Sequence, residues 1–357
     1  MKPPSDGALR PDLASFDSTT REAREVWLVD ALRKQVAYMR ATVPFWRERL
    51  DGAGVAERQI ESLADLARIP VWTKQELRAQ RPATLLPVES LGQLRVCRWT
   101  SGSSGRPTVN FWSDSDWAGL VAGLGRALRR QAPIPRPTAF NAFSQSHVTG
   151  PVFSAVMRHL GGAVFERSPH PEEQFSTRDQ IELFDVDTLI IPASSMRGKA
   201  VGMVALLAED PSLLARHAVR WVLGSAWVGA MNQEDARLTT QLRDQGVEVV
   251  SRLYGCSEVA PFSVSCTVDH DDMHVAEGHV LVEVVDATGT QVRSGQSGRI
   301  LVSHLSGIDD DGRACVYRGT QFLRLAAGDG ATWIDEACTC GLTTPRLRGI
   351  QRIPAAA

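Results

Sequence analysis

The stretch Trp99-Thr-Ser-Gly-Ser-Ser-Gly-Arg-Pro-Thr108 places two glycines among several hydroxyl side chains. Apolar segments flank it at residues 94–97 and 109–112. Glycine lets the backbone approach an anion closely, and exposed N–H groups together with hydroxyls can hold phosphate oxygens. The stretch therefore predicts a phosphate-binding loop between two short apolar segments. A plain surface hairpin is the alternative that composition alone leaves open.

This loop differs from two common nucleotide-binding loops. The Gly-Lys-Ser/Thr ending of a Walker A loop is absent. A Rossmann dinucleotide loop opens a helix, whereas Pro107 directly after Gly-Arg favours a loop or a strand. The sequence therefore indicates neither a Walker A loop nor a Rossmann dinucleotide site at this position.

Short apolar runs alternate with helical patterns through the middle third of the chain. The predicted strands are residues 138–143, 162–165, 188–191, 218–223 and 248–253. The predicted helices are residues 117–130, 152–160, 198–207 and 232–245. Such alternation is typical of an α/β sheet that is covered on both faces.

The two ends of the chain have a different character. Apolar positions recur at three- and four-residue steps over residues 20–50, which predicts one long helix. After residue 260 helix signals are few, and strands are predicted at 280–285 and 299–302. We therefore expect three parts. They are an N-terminal helical segment packing on the body (1–90), an α/β nucleotide- and acid-binding core (91–260) and a β-rich subdomain (261–357).

The overall charge excludes some classes of function. The 357 residues include 39 Lys plus Arg and 41 Asp plus Glu, a formal net charge of −2. Nucleic-acid binders usually carry a basic excess, so we expect no nucleic-acid partner. The longest apolar run, residues 201–208, is far shorter than the roughly 18 residues that span a membrane. The opening residues lack the apolar core of a signal peptide, so we expect a cytoplasmic protein without a membrane partner.

Several stretches together resemble the adenylate-forming superfamily, which includes acyl-CoA synthetases, luciferases and peptide-synthetase adenylation domains. More narrowly, the chain is similar to the phenylacetate-CoA ligase and coenzyme F390 synthetase family. The resemblance is carried by the loop at 100–108 and by Val43-Pro-Phe-Trp-Arg-Glu-Arg-Leu50, Leu66-Ala-Arg-Ile-Pro-Val-Trp-Thr-Lys-Gln-Glu-Leu77, Tyr254-Gly-Cys-Ser-Glu258, Gly298-Arg-Ile300, Tyr317-Arg318 and Cys338-Thr-Cys-Gly…Pro345-Arg-Leu347. It implies an α/β fold, the large N-terminal domain of adenylate-forming enzymes, with stacked αβα subdomains and a β-rich C-terminal portion.

The resemblance also implies a site for ATP and Mg²⁺. Tyr254 would lie beside adenine, Ser257 would bind the α-phosphate and Glu258 would hold Mg²⁺. A carboxylate suits Mg²⁺, which spreads the charge that develops as a carboxylate attacks the α-phosphorus. The alternative is that Glu258 is a solvated residue at a helix start. The other implied nucleotide-binding residues are Thr100, Ser101, Gly102, Ser103, Ser104, Gly105, Gly224, Ser225, Gln321 and Arg352, and Arg106 is implied as catalytic beside Ser257 and Glu258.

Six cysteines are present, and two of them form the pair Cys338-Thr-Cys340. Without a secretory signal, a metal site is favoured over a disulfide framework. Structural zinc prefers thiolate and imidazole donors in short-spaced pairs, and some members of the resembled family carry a similar cluster here. The predicted ligands are Cys266, His270, Cys338 and Cys340, with His274 as an alternative. The competing interpretation is a set of free thiols in a reducing cell.

One departure from the family pattern affects the ribose contact. Family members read Tyr-Arg-Thr-Gly-Asp, where the Asp binds the ribose hydroxyls, but this chain has Gln321 at that place. An amide forms weaker hydrogen bonds than a carboxylate, so we expect weaker ATP affinity. Asp329 could substitute only if the loop is rerouted, and Arg352 matches the family's ribose-contacting arginine.

A second departure concerns the end of the sequence. The family continues beyond this arginine into a small mobile domain that supplies a catalytic lysine and then builds the thiol-acceptor tunnel. This sequence ends at Ala357, five residues after Arg352. We therefore expect the mobile domain to be absent, acyl-AMP formation to be slow, and thioester formation with CoA to lose its framework.

Residues 141–151 fall where the family places a loop of the acyl pocket. Phe143 and His147 are predicted to contact an aromatic acid, and Gly255 is assigned to the same pocket. Residues 192–196 follow a predicted strand and form another candidate wall, because ligands of open α/β sheets lie beyond the carboxyl ends of the strands. The alternative for each residue is ordinary packing.

These expectations favour an ATP-dependent, AMP-forming ligase that activates an aromatic carboxylic acid. The acyl group would pass to a downstream partner enzyme or carrier of secondary metabolism, as in phenazine-type antibiotic biosynthesis. The alternative is a catalytically degenerate protein that binds a nucleotide or an aryl acid as a carrier or scaffold. A third reading is a ligase whose mobile domain comes from another chain. A homodimer is also expected, because relatives in the family are often dimers.

Overall fold

The computed structural model describes residues 16–87, 92, 94–99, 107–167, 176–194, 202–225, 232–269, 271–309 and 311–353. Its helices are α1 (Arg21–Thr42), α2 (Pro44–Gly52), α3 (Lys74–Ala79), α4 (Asp114–Arg129), α5 (Thr149–His159), α6 (Thr177–Phe184), α7 (Met203–Glu209), α8 (Leu213–Arg216) and α9 (Asn232–Asp244). Its strands are β1 (Leu94–Trp99), β2 (Val109–Ser113), β3 (Thr138–Asn141), β4 (Ala163–Glu166), β5 (Thr188–Ile190), β6 (Trp221–Ser225), β7 (Val249–Cys256), β8 (Ala260–Ser265), β9 (Asp272–Val275), β10 (Val280–Val285), β11 (Ser297–His304), β12 (Gly307–Ile308), β13 (Ala314–Cys315), β14 (Leu325–Ile334) and β15 (Arg346–Arg352).

The predicted N-terminal helix is divided into two helices. Helix α1 ends at Thr42, Val43 is extended with φ −118° and ψ 106°, and Pro44 begins α2. Proline lacks the N–H that would continue a helix, but its fixed φ suits the first position of a new one. The Val43-Pro44 pair therefore explains why one apolar periodicity corresponds to two helices.

Eleven of the described strands form one sheet, in the order β10-β11-β14-β15-β9-β8-β7-β6-β5-β3-β4. Strands β4, β3, β5, β6 and β7 run parallel, and the pairs from β7 to β10 are antiparallel. Each of the five predicted middle strands overlaps an observed one, which agrees with the predicted α/β class. The sheet continues from β7 to β8 at residue 260, where the sequence predicts a boundary between the core and the β-rich part. The division into three parts stays a prediction.

Helices cover both faces of the parallel half of the sheet. Helices α4 and α5 contribute to one buried apolar cluster, and α6, α7, α8 and α9 contribute to another. Trp221 and Leu223 of β6 belong to the first cluster and Val222 belongs to the second, as expected for alternating side chains. A third cluster joins α1 and α2 to β10, β11 and β14. Among the described helices, none is both long enough and apolar enough to cross a membrane.

The N-terminal segment is tied to the sheet at Trp72. The Trp72 N–H donates to the Arg324 carbonyl at 3.0 Å, and the Ala326 N–H donates to the Trp72 carbonyl at 2.8 Å. The indole is fully buried against three aromatic rings, those of Phe45, Trp46 and Phe322. This anchor fixes the start of α3 beside β14, because α3 begins only two residues later at Lys74.

Candidate functional site

Ser257 and Glu258 lie in the tight turn between β7 and β8. A Cβ on Gly255 would lie 2.4 Å from the carbonyl oxygen of Ala260, so a side chain does not fit where the two strands approach. Ala260 has a positive φ of 74°, which is uncommon for a residue other than glycine. The residues at Gly255 and Ala260 therefore fix the path of the turn. The turn holds the Ser257 and Glu258 side chains at the carboxyl end of the parallel strand β7, where α/β sheets place their ligands.

Glu258 is paired with a lysine from the N-terminal segment. The carboxylate is 3% exposed, and its Oε2 lies 3.0 Å from Lys74 Nζ. Burial lowers the pKa of Lys74, but Cys256 and Glu258 raise it by more, so the net pKa lies above the ordinary value. Lys74 is therefore a permanent cation. No sequence pattern marks this lysine as a site residue, although it lies within a stretch that carries the family resemblance.

Asp329 forms a second charged centre beside Tyr254. The Tyr254 hydroxyl donates to Asp329 Oδ2 at 2.9 Å, and Arg352 Nη1 lies 3.0 Å from Asp329 Oδ1. Burial raises the pKa of the Asp329 carboxyl, while Arg352 and the Tyr254 hydrogen bond lower it by less. Lys74 also acts on this carboxyl. We call the group of Lys74, Tyr254, Glu258, Asp329 and Arg352 the ionic cluster.

Gln321, which the resemblance assigned to the nucleotide, is fully buried. Its Oε1 accepts a hydrogen bond from Gln35 Nε2 of α1 at 3.0 Å. Asp329 is the residue in contact with both Tyr254 and Arg352. The sequence analysis had allowed for Asp329 only as a substitute. The nucleotide role of Gln321 stays a prediction.

The structure brings the predicted acid loop to the turn between β7 and β8. His147 Nε2 lies 3.1 Å from Ser257 Oγ, and His147 Nδ1 lies 3.1 Å from Thr149 Oγ1. Phe143 is buried, and its ring packs edge-on against Phe153 with centroids 5.0 Å apart. A residue predicted for the acid thus touches a residue predicted for the phosphate, whereas the contact of Phe143 with an acid stays a prediction.

The end of the neighbouring strand carries two more predicted residues. Gly224 and Ser225 end β6, in parallel register with Arg252 and Leu253 of β7. A Cβ on Gly224 would lie 2.9 Å from the Ile191 carbonyl oxygen, so there is little room for a side chain. These residues therefore lie at the same carboxyl edge of the sheet as the turn, and their contact with a nucleotide stays a prediction.

The predicted phosphate loop connects β1 and β2, which pair antiparallel with Trp99 opposite Val109. Residues 100–106 lie outside the described residues, so their phosphate contacts and the role of Arg106 stay predictions. Asn110, just beyond the loop, donates from Nδ2 to the Ser257 carbonyl at 3.4 Å. The base of the loop therefore adjoins the turn that carries Ser257 and Glu258.

A separate group of side chains fits a metal ion. Ligand atoms of Cys266, His274, Cys338 and Cys340 all lie within 4.8 Å of one another, and we call this group the cysteine–histidine cluster. The two sulfur atoms of Cys266 and Cys338 are 3.6 Å apart, and Cys340 Sγ lies 3.3 Å from His274 Nε2. Two thiolates bound to a tetrahedral zinc at about 2.3 Å lie about 3.8 Å apart, so the spacing suits zinc. His274, the alternative ligand, completes the group, and the predicted ligand His270 lies outside the described residues.

The surroundings of the cysteine–histidine cluster also suit a metal. His274 Nδ1 lies 3.1 Å from Thr344 Oγ1, which leaves Nε2 as the ligand atom. Burial lowers the pKa of His274 to about 4 and therefore keeps its imidazole neutral. Burial raises the pKa of the Cys338 thiol, but hydrogen bonds from Cys340 and Cys266 lower it by more. Burial and the neighbouring thiols raise the pKa of Cys340 to about 12, because adjacent thiolates repel each other without a cation.

Comparison with known proteins gives relatives along most of the chain. No protein-family model matches it. The phenylacetate-coenzyme A ligase of Thermus thermophilus is 28% identical over 340 residues, which cover 93% of this chain and 71% of that protein. The phenylacetate-coenzyme A ligase of Escherichia coli is 27% identical over 302 residues, 81% of this chain and 64% of that protein. These relatives confirm the predicted resemblance and the prediction of a ligase-type enzyme.

The fold has a counterpart among solved structures. An open conformation of 2-hydroxyisobutyryl-CoA ligase, in complex with 2-HIB-AMP and CoA, has a TM-score of 0.79 at 21% identity and covers 99% of this chain and 80% of that one. The likeness confirms the predicted fold class. The chain is therefore similar in sequence to phenylacetate-coenzyme A ligases along most of its length and has the fold of 2-hydroxyisobutyryl-CoA ligase.

Proposed function

We propose that this chain catalyses the ATP-dependent activation of an aromatic carboxylic acid, with acyl-AMP and pyrophosphate as products. The observation that carries the proposal is the turn that holds Ser257 and Glu258. It lies at the carboxyl end of β7, next to Asn110 at the base of the predicted phosphate loop and in contact with His147 of the predicted acid loop. Acid and triphosphate would therefore meet at one place, as an attack on the α-phosphorus requires.

The environment of Glu258 suits a Mg²⁺ ligand. The carboxylate is buried, and apart from its ion pair with Lys74 its Oε2 receives no hydrogen bond of good geometry from a described residue. Hard divalent cations prefer such carboxylate oxygens. When bound, Mg²⁺ would supply neutralisation of the charge on the phosphate oxygens. Ser257 would orient the α-phosphate, and His147 would hold the Ser257 hydroxyl in position.

The aromatic nature of the acid is supported by Phe143, which belongs to the same predicted acid loop as His147. Its ring packs edge-on against Phe153, and aromatic rings favour edge-on or offset contact with further rings. We further propose that the acyl group passes to a downstream partner enzyme or carrier in secondary metabolism, such as antibiotic biosynthesis of the phenazine type. Rapid formation of acyl-CoA by the isolated protein would contradict this last step. A homodimer and a cytoplasmic location stay predictions from the sequence.

Pyrophosphate–ATP exchange with a panel of aromatic and aliphatic acids tests the proposal. We expect exchange that requires Mg²⁺ and an aromatic acid, because exchange reports reversible acyl-AMP formation. If no acid supports exchange in protein that binds ATP, the proposal is wrong.

A second candidate function is binding of a nucleotide or aryl acid without turnover. It is favoured by Gln321, whose amide is engaged by Gln35 inside the protein. Calorimetry distinguishes the two candidates. A binding protein would take up the acid with the same affinity with and without ATP and would show no exchange.

We also propose that the cysteine–histidine cluster holds a structural Zn²⁺. Its ligands come from the end of β8, from β9 and from the connection between β14 and β15, so the ion would cross-link these parts of the sheet. Metal analysis of protein purified without chelator should find about one equivalent of zinc. Less than about half an equivalent would contradict the proposal.

A further inference from the structure

Lys74 and the proposed Mg²⁺ would compete for the same carboxylate. Lys74 Nζ lies 3.0 Å from Glu258 Oε2. Two cations on one carboxylate repel each other in a partly buried site. Binding of a divalent cation to Glu258 therefore weakens the ion pair with Lys74 and favours its opening.

The side chain of Lys74 can move although its backbone is fixed. The backbone is anchored by Trp72, which lies two residues before Lys74 and pairs with β14. The Lys74 side chain is 23% exposed. Its aliphatic stem passes next to Gly328, since a Cβ added to this glycine would lie 3.9 Å from Lys74 Cε. The ammonium group is therefore partly accessible to solvent, whereas the backbone that carries it is fixed.

The neighbouring carboxylate already has a cation of its own. Asp329 Oδ2 accepts from Tyr254 at 2.9 Å, and Oδ1, which receives no hydrogen bond of good geometry from a described residue, lies 3.0 Å from Arg352 Nη1. The anion that would arrive together with Mg²⁺ is the triphosphate itself. A phosphate oxygen is therefore the natural new partner for Lys74.

The choice of lysine at this position is informative. In the described parts of the chain, the other buried carboxylates that form ion pairs do so with arginine, as in Arg24–Glu277, Arg324–Glu283 and Arg346–Asp272. The whole sequence contains four lysines, and one of them pairs with Glu258. Arginine holds a carboxylate in a fixed fork, whereas the ammonium of lysine is a compact charge on a flexible stem. The fixed pairs thus use arginine, and the pair that would open uses lysine.

We propose that Lys74 is a second cation of the nucleotide site. In the free protein it neutralises Glu258, and when Mg²⁺ and ATP bind its side chain moves so that the ammonium group contacts phosphate oxygens. This inference rests on the proposed function, because it places the triphosphate beside Glu258. In the reaction, a substrate carboxylate oxygen forms a bond to the α-phosphorus, and the bond from the α-phosphorus to the bridging oxygen breaks. The electron pair leaves with pyrophosphate, and Lys74 stays protonated and stabilises the departing charge.

The decisive measurement is ATP affinity without Mg²⁺, by calorimetry in the presence of a chelator. Glu258→Gln removes the internal partner of Lys74, and the double variant Glu258→Gln/Lys74→Met also removes the ammonium. If Lys74 contacts phosphate, the double variant should bind ATP about 10-fold more weakly than Glu258→Gln. Equal affinities would overturn the inference, because they would mean that Lys74 serves only to neutralise Glu258.

Lys34→Met in the Glu258→Gln background is the matched charge control. Lys34 pairs with Asp30 on the exposed surface of α1, and its loss should leave ATP affinity unchanged. Should Glu258→Gln fail to fold, Lys74→Arg and Lys74→Met on the native background give the same test in the presence of Mg²⁺. Lys74→Met should lose about 10-fold in ATP affinity and about 100-fold in exchange rate. Lys74→Arg keeps the charge but holds Glu258 in a fixed fork, so it should recover only part of that loss.

The two failures are distinguishable. If the native protein with Mg²⁺ binds no ATP, the proposed function is wrong and this inference falls with it. If the native protein binds ATP and catalyses exchange, but Lys74→Met does so equally well, only the inference about Lys74 is wrong.

Discussion

The ionic cluster and the cysteine–histidine cluster both gather ionisable side chains, but they balance charge in opposite ways. In the ionic cluster, Glu258 pairs with Lys74 and Asp329 pairs with Arg352, so two carboxylates meet two cations of the chain itself. In the cysteine–histidine cluster, three thiols and one imidazole lie within 4.8 Å of one another. Arg346 acts on Cys338 and His274, but its guanidinium is paired with Asp272.

This difference indicates how each region would use a metal. A site whose charges are already compensated can exist empty and exchange a bound ion, which suits a catalytic Mg²⁺ that arrives with its nucleotide. Clustered thiols become thiolates only together with a cation, because neighbouring thiolates repel each other, and this suits a permanent Zn²⁺. The two clusters should therefore respond in opposite ways to metal removal.

The largest effect is expected for removal of the zinc ligands. Cys338→Ser should abolish zinc binding and lower the thermal midpoint by more than about 10 °C, because zinc binding in such sites contributes directly to folding. Differential scanning calorimetry with parallel metal analysis measures both quantities. Cys97→Ser is the control, since Cys97 is exposed on β1 and outside the cluster. If the Cys338→Ser protein keeps its zinc, or melts at the same temperature as the native protein, the cysteine–histidine cluster does not hold a structural zinc.

Chelation of Mg²⁺ should leave the fold intact, and the ionic cluster should instead respond in its chemistry. Glu258→Gln removes the proposed metal ligand and should lower pyrophosphate–ATP exchange by about 100-fold or more. The variant's melting curve serves as the control for folding. Exchange at the native rate would show that Glu258 is not the residue that holds Mg²⁺.

Two buried histidines outside both clusters, His279 and His304, should make the folded protein less stable at acid pH. Burial and then Arg126 lower the pKa of His279 to about 3, and burial and then His279 lower that of His304 to about 3. Because these values lie below the ordinary value of about 6.5, the unfolded chain binds more protons as the pH falls, and stability is lost from about pH 6.5 downward. Each histidine should cost about 2 kcal/mol at pH 5.

Denaturant unfolding at pH 7 and pH 5 measures this loss. His304→Phe keeps an aromatic ring against Tyr317, where the imidazole now stacks with centroids 3.9 Å apart, but has no proton to gain. It should therefore be less acid-sensitive than the native protein by about 2 kcal/mol. His217→Gln, at a position that faces Asp185 near the surface, is the histidine control. Equal acid sensitivity in His304→Phe and the native protein would refute the assignment.

The sequence was most informative where local pattern determines structure. Parallel strands such as Trp221–Ser225 are buried on both faces and read as continuous apolar runs, so they could be predicted. Ser257, Glu258 and His147 could be proposed only through family resemblance, since no periodicity marks them.

Lys74 and Asp329 could not be predicted, because their meeting depends on tertiary contacts. Residues 74, 258, 329 and 352 come from four separate parts of the sequence, and the bridge from Trp72 to β14 brings the first of them to the others. The choice between His270 and His274 as candidate metal ligand could not be made from the sequence for a similar reason. Spacing allowed His270 or His274, and pairing of β9 with β15, with His274 opposite Arg346, places His274 beside the cysteines.

The smallest expected effect concerns the hydrogen bond within the ionic cluster. Tyr254→Phe keeps the ring, which packs edge-on against Phe262, but removes the hydroxyl that donates to Asp329 Oδ2. The free energy of unfolding should fall by about 1 kcal/mol, because the buried carboxylate loses a donor but keeps Arg352. Since this hydrogen bond lowers the pKa of Asp329, its loss should raise that pKa further, which an NMR titration of the carboxyl carbons can follow. An unchanged Asp329 titration would mean that the arginine alone compensates this carboxylate, and the cluster would then consist of two independent ion pairs rather than one connected group.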